Sequence, residues 1–178
     1  MSPLTPTLSP KGRGKLLFAP SLSRKWRGKP RKVVLIGFMG TGKTVVGKAL
    51  AKELGWRFLD TDVIIEKKEG RRVSTIFKRE GEAYFRDVET RVIKDVSRLK
   101  NAVISAGGGA VLRDENVKYL KKNGVIVCLD ASPRVILSRL KGDRSRPLLG
   151  KRHRLKNVRR LLRLRKPYYQ VADYTVST

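Results

Sequence analysis

The sequence predicts an α/β fold, a single parallel sheet of five strands with helices on both faces. Three observations carry this. Short apolar runs at residues 33–36, 58–59, 102–105, 125–129 and 174–176 alternate with helical stretches, which is the pattern of βαβ crossovers. The first run ends in Gly37-Phe-Met-Gly-Thr-Gly42-Lys43-Thr44, a strand-to-helix turn of the form G-x-x-x-x-G-K-[ST]. The chain has 178 residues, 40% of them hydrophobic, enough for one packed domain.

The elements follow in order. Val33-Val-Leu-Ile36 is a buried strand, and residues 43–54 form a helix closed by Gly55. Residues 58–59 make a short strand ending at Asp60, followed by a short helix over 63–68. Residues 73–99 form a long helical region interrupted around Gly81. A strand at 102–105 runs into Gly107-Gly108-Gly109. Helix 114–122, strand 125–129 and helix 133–140 come next, the last with Pro133 in its first turn. A polar loop over 142–154, a basic helix over 155–165 and the strand at 174–176 complete the chain, and no internal repeat is visible.

Residues 1–31 differ in texture, with five prolines, eight Lys/Arg and no acid. They read as a disordered basic tail or as read-through upstream of the true start. Their composition resembles a transit peptide, but the prolines oppose an amphipathic helix. Residues 32–178 then form one domain. A single cysteine, Cys128, and a single histidine, His153, exclude a disulfide framework and Cys/His metal cages. No apolar run of about 18 residues is present, so no membrane helix is expected. The cytoplasm is the expected compartment.

Lys and Arg number 42 against 15 Asp and Glu, a net charge of +27. Residues 134–166 alone hold fourteen Lys/Arg and one acid. Such a field attracts nucleic acid, nucleotide phosphates and small carboxylates alike, and charge alone does not choose among them.

The phosphate loop is the most specific feature. Its glycines Gly40 and Gly42, with Thr41, let successive N–H groups face a phosphate chain; Lys43 supplies a cation and Thr44 a Mg²⁺ ligand. The motif makes this a nucleoside triphosphate site. Asp60-Thr61-Asp62 ends the second strand at the ligand side of an open sheet. There the carboxylates divide magnesium and hydroxyl binding, or Asp62 caps a helix while Asp60 is solvated. Phe85-Arg86-Asp87-Val88-Glu89 lies within a helix, where Arg86 and Glu89 read first as a surface i, i+3 pair and second as a guanidinium fork for a planar anion. Three successive glycines, 107–109, suit a backbone that approaches a ligand closely. Asp143-Arg144-Ser-Arg146-Pro147-Leu-Leu suits a lid closing over phosphates, or a solvated basic loop. Cys128 reads as core, His153 as a solvated side chain and Trp26 as incidental to the tail.

Together these residues resemble the shikimate kinase family. Its P-loop, D-T-D, F-R-x-x-E, G-G-G, R-P-L-L and R-x-P-x-Y motifs read here as residues 37–44, 60–62, 85–89, 107–109, 146–149 and 165–169. The resemblance implies a three-layer P-loop kinase fold with a mobile lid, acting as a monomer. It implies transfer of the γ-phosphate of ATP, with Mg²⁺, to the 3-hydroxyl of shikimate, on the route to chorismate and the aromatic amino acids. By the same resemblance Arg86 and Arg165 clamp the substrate carboxylate, Asp62 binds its hydroxyls and assists deprotonation, and Gly107, Gly108 and Gly109 offer backbone contacts. Lys43 and Arg146 neutralise phosphates, Thr44 and Asp60 serve the metal, and Arg139 lies near the adenine. Family members continue beyond the strand at 174–176 with an adenine-side loop and a closing helix, whereas this sequence ends at Thr178. The expectation is weaker nucleotide affinity or stability, by about a few kcal/mol. The rival readings are another small-molecule P-loop kinase, for gluconate or a nucleoside monophosphate, and a P-loop protein that binds polyanions without kinase activity. The second rival wants aromatics among its basic residues, and residues 134–166 contain no Phe, Tyr or Trp.

Overall fold

Five buried residues in a row, Lys32–Ile36, form β1 at the centre of a parallel sheet. The computed structural model describes residues 31–141 and 155–178. The expectations for the tail and for the lid around Arg144, Arg146 and His153 fall outside the described residues. The other strands are β2 (Arg57–Asp60), β3 (Ala102–Ser105), β4 (Gly124–Asp130) and β5 (Tyr174–Ser177), in the order β2-β3-β1-β4-β5. All four pairings are parallel, with Val34 opposite Ile104 on one side and Ile126 on the other. The helices are α1 (Lys43–Leu54), α2 (Thr61–Glu69), α3 (Val73–Val96), α4 (Asp114–Lys121), α5 (Pro133–Arg139) and α6 (Leu155–Tyr169). Among the described residues, no helix is long and apolar enough to cross a membrane.

Strand alternation sorts the core into two faces. Val33 and Leu35, with Val103, pack against Leu50 and Ala51 of α1. Val34, Ile36, Ile104 and Ile126 turn to the other face, where Val88, Val92 and Ile93 of α3 and Leu120 of α4 meet them. Each fully buried aliphatic side chain contributes about 1.5–3 kcal/mol. A third cluster of Phe38, Ala131, Ile136, Leu140 and Val158 seats α5 and α6 beside the turn that follows β1. β1 and β3 are neighbours whose following helices, α1 and α4, lie on opposite faces. Their carboxyl ends therefore splay and open a crevice, the position at which open α/β sheets bind ligands.

Several boundaries differ from the sequence reading, most by one residue, with α3 ending at Val96 rather than 99, and two of the differences bear on the site. Helix α2 starts at Thr61, not 63, because Asp60 is its N-cap: its carboxylate accepts from the Asp62 N–H at 3.1 Å. Asp62 thus lies in the first turn and is not the cap. Helix α6 passes through Pro167 to Tyr169, whereas the sequence reading ends it at 165. The expected interruption of α3 is found at Gly81, whose φ of 84° no helix contains.

At the opposite end of the sheet from the crevice, Lys32 is buried and its ammonium donates to the carbonyls of Ser97, at 2.6 Å, and Tyr119, at 3.2 Å. It thereby ties the carboxyl ends of α3 and α4 to β1, where the helix dipoles favour a cation. Burial, reinforced by Lys122, lowers its pKa from 10.5 to about 8. Between those values the unfolded chain holds the proton and the folded one releases it, so unfolding free energy rises with pH across this window. Urea denaturation between pH 7.5 and 10 is expected to show that rise for the native chain and a smaller one for Lys32→Met.

Candidate active site

The phosphate loop is shaped by what its glycines permit. Gly37 has φ of 132°, and a Cβ there would run into the Leu129 carbonyl of β4. The loop therefore lies directly on the end of the sheet. The Thr41 side chain turns inward, its hydroxyl donating to the Phe38 carbonyl at 2.8 Å. Lys43 donates to the carbonyls of Gly37 (2.9 Å) and Phe38 (3.0 Å), holding its ammonium at the mouth of the loop. Arg139 of α5 reaches the Gly40 carbonyl at 3.3 Å from the other side. A cavity of about 230 Å³ is lined by Gly40, Gly42, Lys43, Thr44, Asp60 and Arg139 among others.

Thr44 and Asp60 meet in this cavity, with the Thr44 hydroxyl donating to Asp60 Oδ2 at 3.0 Å. Asp60 thus caps α2 with one oxygen and faces the phosphate loop with the other. The pair supplies hard oxygen donors, which fits Mg²⁺, an ion that takes one or two protein oxygens and completes its shell with phosphate and water. Among the described residues no group of three His, Cys, Asp or Glu could cage a metal.

A second cavity, about 60 Å³, adjoins the first and is lined by Asp62, Phe77, Phe85, Arg86, Glu89, Gly107–Gly109 and Arg165. Asp62 and Met39 line both cavities. Arg86 is buried and bonds Glu89 Oε2 at 2.6 Å and Glu82 Oε1 at 2.8 Å, so the Arg86–Glu89 contact is no surface pair. Burial opposes the charge on Arg86, but Glu89 and then Glu82 outweigh it and hold its pKa above the ordinary value. Burial also raises the Glu89 carboxyl, with Arg86 pulling against it and Asp62 adding to it. Glu89 Oε1 is buried and has no hydrogen-bond partner among the described residues. Arg165 is buried too; it donates to the Gly108 carbonyl at 3.3 Å and lies 5.6 Å from the Phe38 ring centre.

The glycine turn is the surface on which these groups converge. A Cβ on Gly107 would sit 2.7 Å from Glu89 Oε1 and 2.8 Å from Asp62 Oδ1, and one on Gly109 would overlap the Arg86 guanidinium. The turn is held by the Gly107 N–H donating to Thr61 Oγ1 at 3.0 Å and by Asn116 Nδ2 donating to the Ala110 carbonyl at 2.9 Å. Of the site residues named from sequence, Arg146 lies outside the described ones, Thr41 is buried beneath the phosphate loop and lines neither cavity, and the rest line these two cavities. Sequence reasoning missed Phe77, which packs against Phe85 with ring centres 4.6 Å apart, and it assigned Glu82 nothing. Glu82 could have been found as the i−4 neighbour of Arg86; an apolar residue such as Phe77 carries no such signal. Gly109→Ala is expected to push Arg86 off Glu89 and lower the unfolding free energy by about 1–3 kcal/mol in urea titrations.

Comparison with known proteins agrees with this geometry. The sequence profile described as Shikimate kinase matches residues 39–178. A shikimate kinase of Thermodesulfovibrio yellowstonii is 51% identical over 148 residues, 83% of this chain and 86% of that relative. One from Caldanaerobacter subterraneus subsp. tengcongensis is 49% identical over 146 residues, 82% of this chain and 85% of its own. Among solved structures, the shikimate kinase from Acinetobacter baumannii in complex with shikimate superposes with a TM-score of 0.80 at 39% identity, covering 89% of this chain and 88% of that one. The Aquifex aeolicus shikimate kinase gives 0.71 at 39% identity, covering 82% and 86%. With a phosphate loop, a carboxylate at the junction of two cavities and two buried arginines beyond it, this chain belongs to the shikimate kinase family.

Proposed function

We propose a division of labour among these residues in the ATP-dependent phosphorylation of shikimate, the reaction this chain carries out as a shikimate kinase. The observation that carries it is Asp62, which lines the phosphate cavity and the arginine-lined cavity alike. A hydroxyl held by Asp62 faces the phosphate loop, and a carboxylate attached to the same small ring reaches Arg86 and Arg165. Arg86 and Arg165 bind that carboxylate with charge-assisted hydrogen bonds, and the Gly107–Gly109 turn lines the ring between them. Asp62 orients the 3-hydroxyl for in-line attack on the γ-phosphate and accepts its proton. Positioning dominates, since phosphoryl transfer through a loose transition state needs little base assistance. Lys43 neutralises the phosphates together with Arg146, which lies outside the described residues, and Arg139, bonded to the Gly40 carbonyl, serves the adenine side of the nucleotide. Thr44 and Asp60 would hold Mg²⁺, which when bound would supply positive charge to offset that of the phosphates.

By the same family resemblance we place the active unit as a monomer of 20.1 kDa whose catalytic domain spans residues 32–178 and excludes the basic tail. The single thiol, Cys128, is buried in β4, where burial first and Asp130 second raise its pKa to about 11; that inert thiol suits a reducing compartment, the cytoplasm.

The test is ADP release from Mg-ATP by the full chain, with and without shikimate. Shikimate-dependent turnover is expected, and chelation of Mg²⁺ abolishes it. Arg86→Lys keeps the charge but loses the fork, and is expected to raise KM for shikimate about ten- to a hundredfold. Asp62→Asn is expected to lower kcat by about a hundredfold or more. Turnover independent of shikimate, or unchanged by either substitution, contradicts the assignment.

A further inference from the structure

The motif at residues 165–169 contributes Arg165 to the proposed site, but its tyrosine remains unused. Tyr169 donates its hydroxyl to the Gly108 carbonyl at 2.8 Å, the same oxygen that Arg165 reaches at 3.3 Å. The two residues are one helical turn apart and so share a face of α6. Helix α6 continues past Pro167 to bring Tyr169 there, against the usual cost of proline within a helix. The ring packs against both the main core and the α5/α6 cluster, so it is anchored on each side. Burial raises its pKa to about 12, which keeps it a hydrogen-bond donor at any working pH.

The orientation of one peptide unit depends on this bond. In a trans peptide the C=O and the following N–H point opposite ways, and no cis peptide occurs among the described residues. With the Gly108 carbonyl drawn toward α6, the Gly109 N–H is directed away from α6. Among the described residues neither the Gly108 nor the Gly109 N–H has a hydrogen-bond partner, so both are free to donate to a ligand in the cavity their glycines line. A Cβ on Gly108 would lie 3.4 Å from both the Gly37 carbonyl and the Met39 nitrogen, so the same peptide also abuts the phosphate loop.

We propose that Tyr169 is a positioning residue for the substrate carboxylate: its hydroxyl fixes the Gly108–Gly109 peptide and, through the shared carbonyl, the Arg165 guanidinium. This rests on the assignment of that cavity to shikimate. Tyr169 touches no reacting atom, so its effect falls on substrate binding and spares the chemical step.

Tyr169→Phe removes one oxygen and keeps the packing. In the full chain it is expected to raise KM for shikimate roughly three- to tenfold, the loss that one neutral hydrogen bond implies, with kcat and KM for ATP within about twofold of the native enzyme. Calorimetric titration with shikimate is expected to show the same loss of affinity. Because both side chains act on one carbonyl, combining Tyr169→Phe with Arg165→Lys is expected to cost less than the product of the single effects. An unchanged KM for shikimate, an equal rise in KM for ATP, or strict additivity with Arg165→Lys overturns the proposal. A native chain without shikimate-dependent ADP release instead overturns the underlying functional assignment, and that control separates the two failures.

Discussion

The Arg86–Glu89 ion pair is the contact on which the rest of the site depends. Taking two charges out of water costs several kcal/mol each, and their attraction offsets this only with close geometry and further hydrogen bonds. Here the contact is 2.6 Å, Glu82 adds a second carboxylate from the rim, and the glycine turn lets the guanidinium lie against bare backbone. The pair therefore dictates the sequence around it: no side chain fits at Gly109, and Phe85, whose ring centre lies 5.3 Å from the guanidinium, covers the pair. What emerges is a cation presented to a cavity with its orientation already fixed. Such preorganisation is what a small polyol carboxylate requires, since it has few atoms with which to order a loose site.

Fold and chemistry are joined at the neighbouring ends of β1 and β3. β1 delivers the phosphate loop, β3 delivers the glycine turn, and their helices depart to opposite faces. β2, on the far side of β3, brings Asp60 and Asp62 to the same edge, and the Thr61 hydroxyl accepts the Gly107 N–H at 3.0 Å. The carboxylate dyad and the glycine turn are thus one hydrogen-bonded unit. Helix α6 closes the remaining side, with Arg165 and Tyr169 sharing the Gly108 carbonyl. The phosphate loop and the arginine-lined cavity meet at one sheet edge, which is why a single residue, Asp62, can line both cavities.

Much of this was legible in the sequence, for identifiable reasons. The buried strands announced themselves as Val/Ile/Leu runs, and Gly37 to Thr44 has a spacing tied to one backbone shape. The start of α2 was misplaced because Asp60-Thr-Asp62 offers two plausible caps, and only the side-chain geometry shows that Asp60 is the one used. The end of α6 was misplaced because Pro167 is a local stop signal, whereas the helix runs on to Tyr169, which packs against two core clusters and bonds Gly108, 61 residues away in sequence. The Arg86–Glu89 spacing fits a solvated helix pair equally well, and burial, which separates the two readings, is a property of the whole fold. The paired cavities and the glycine turn between them arise only when elements distant in sequence meet.

The most direct test of the account is calorimetric titration of shikimate into the native chain and into Glu89→Gln, each checked for a folded circular-dichroism spectrum. If the buried pair is what holds the carboxylate clamp in place, the folded Gln variant binds shikimate at least about tenfold more weakly, because Arg86 loses the charged partner that orients it. Equal affinity in the two proteins would contradict the account and return Arg86 to an ordinary structural role.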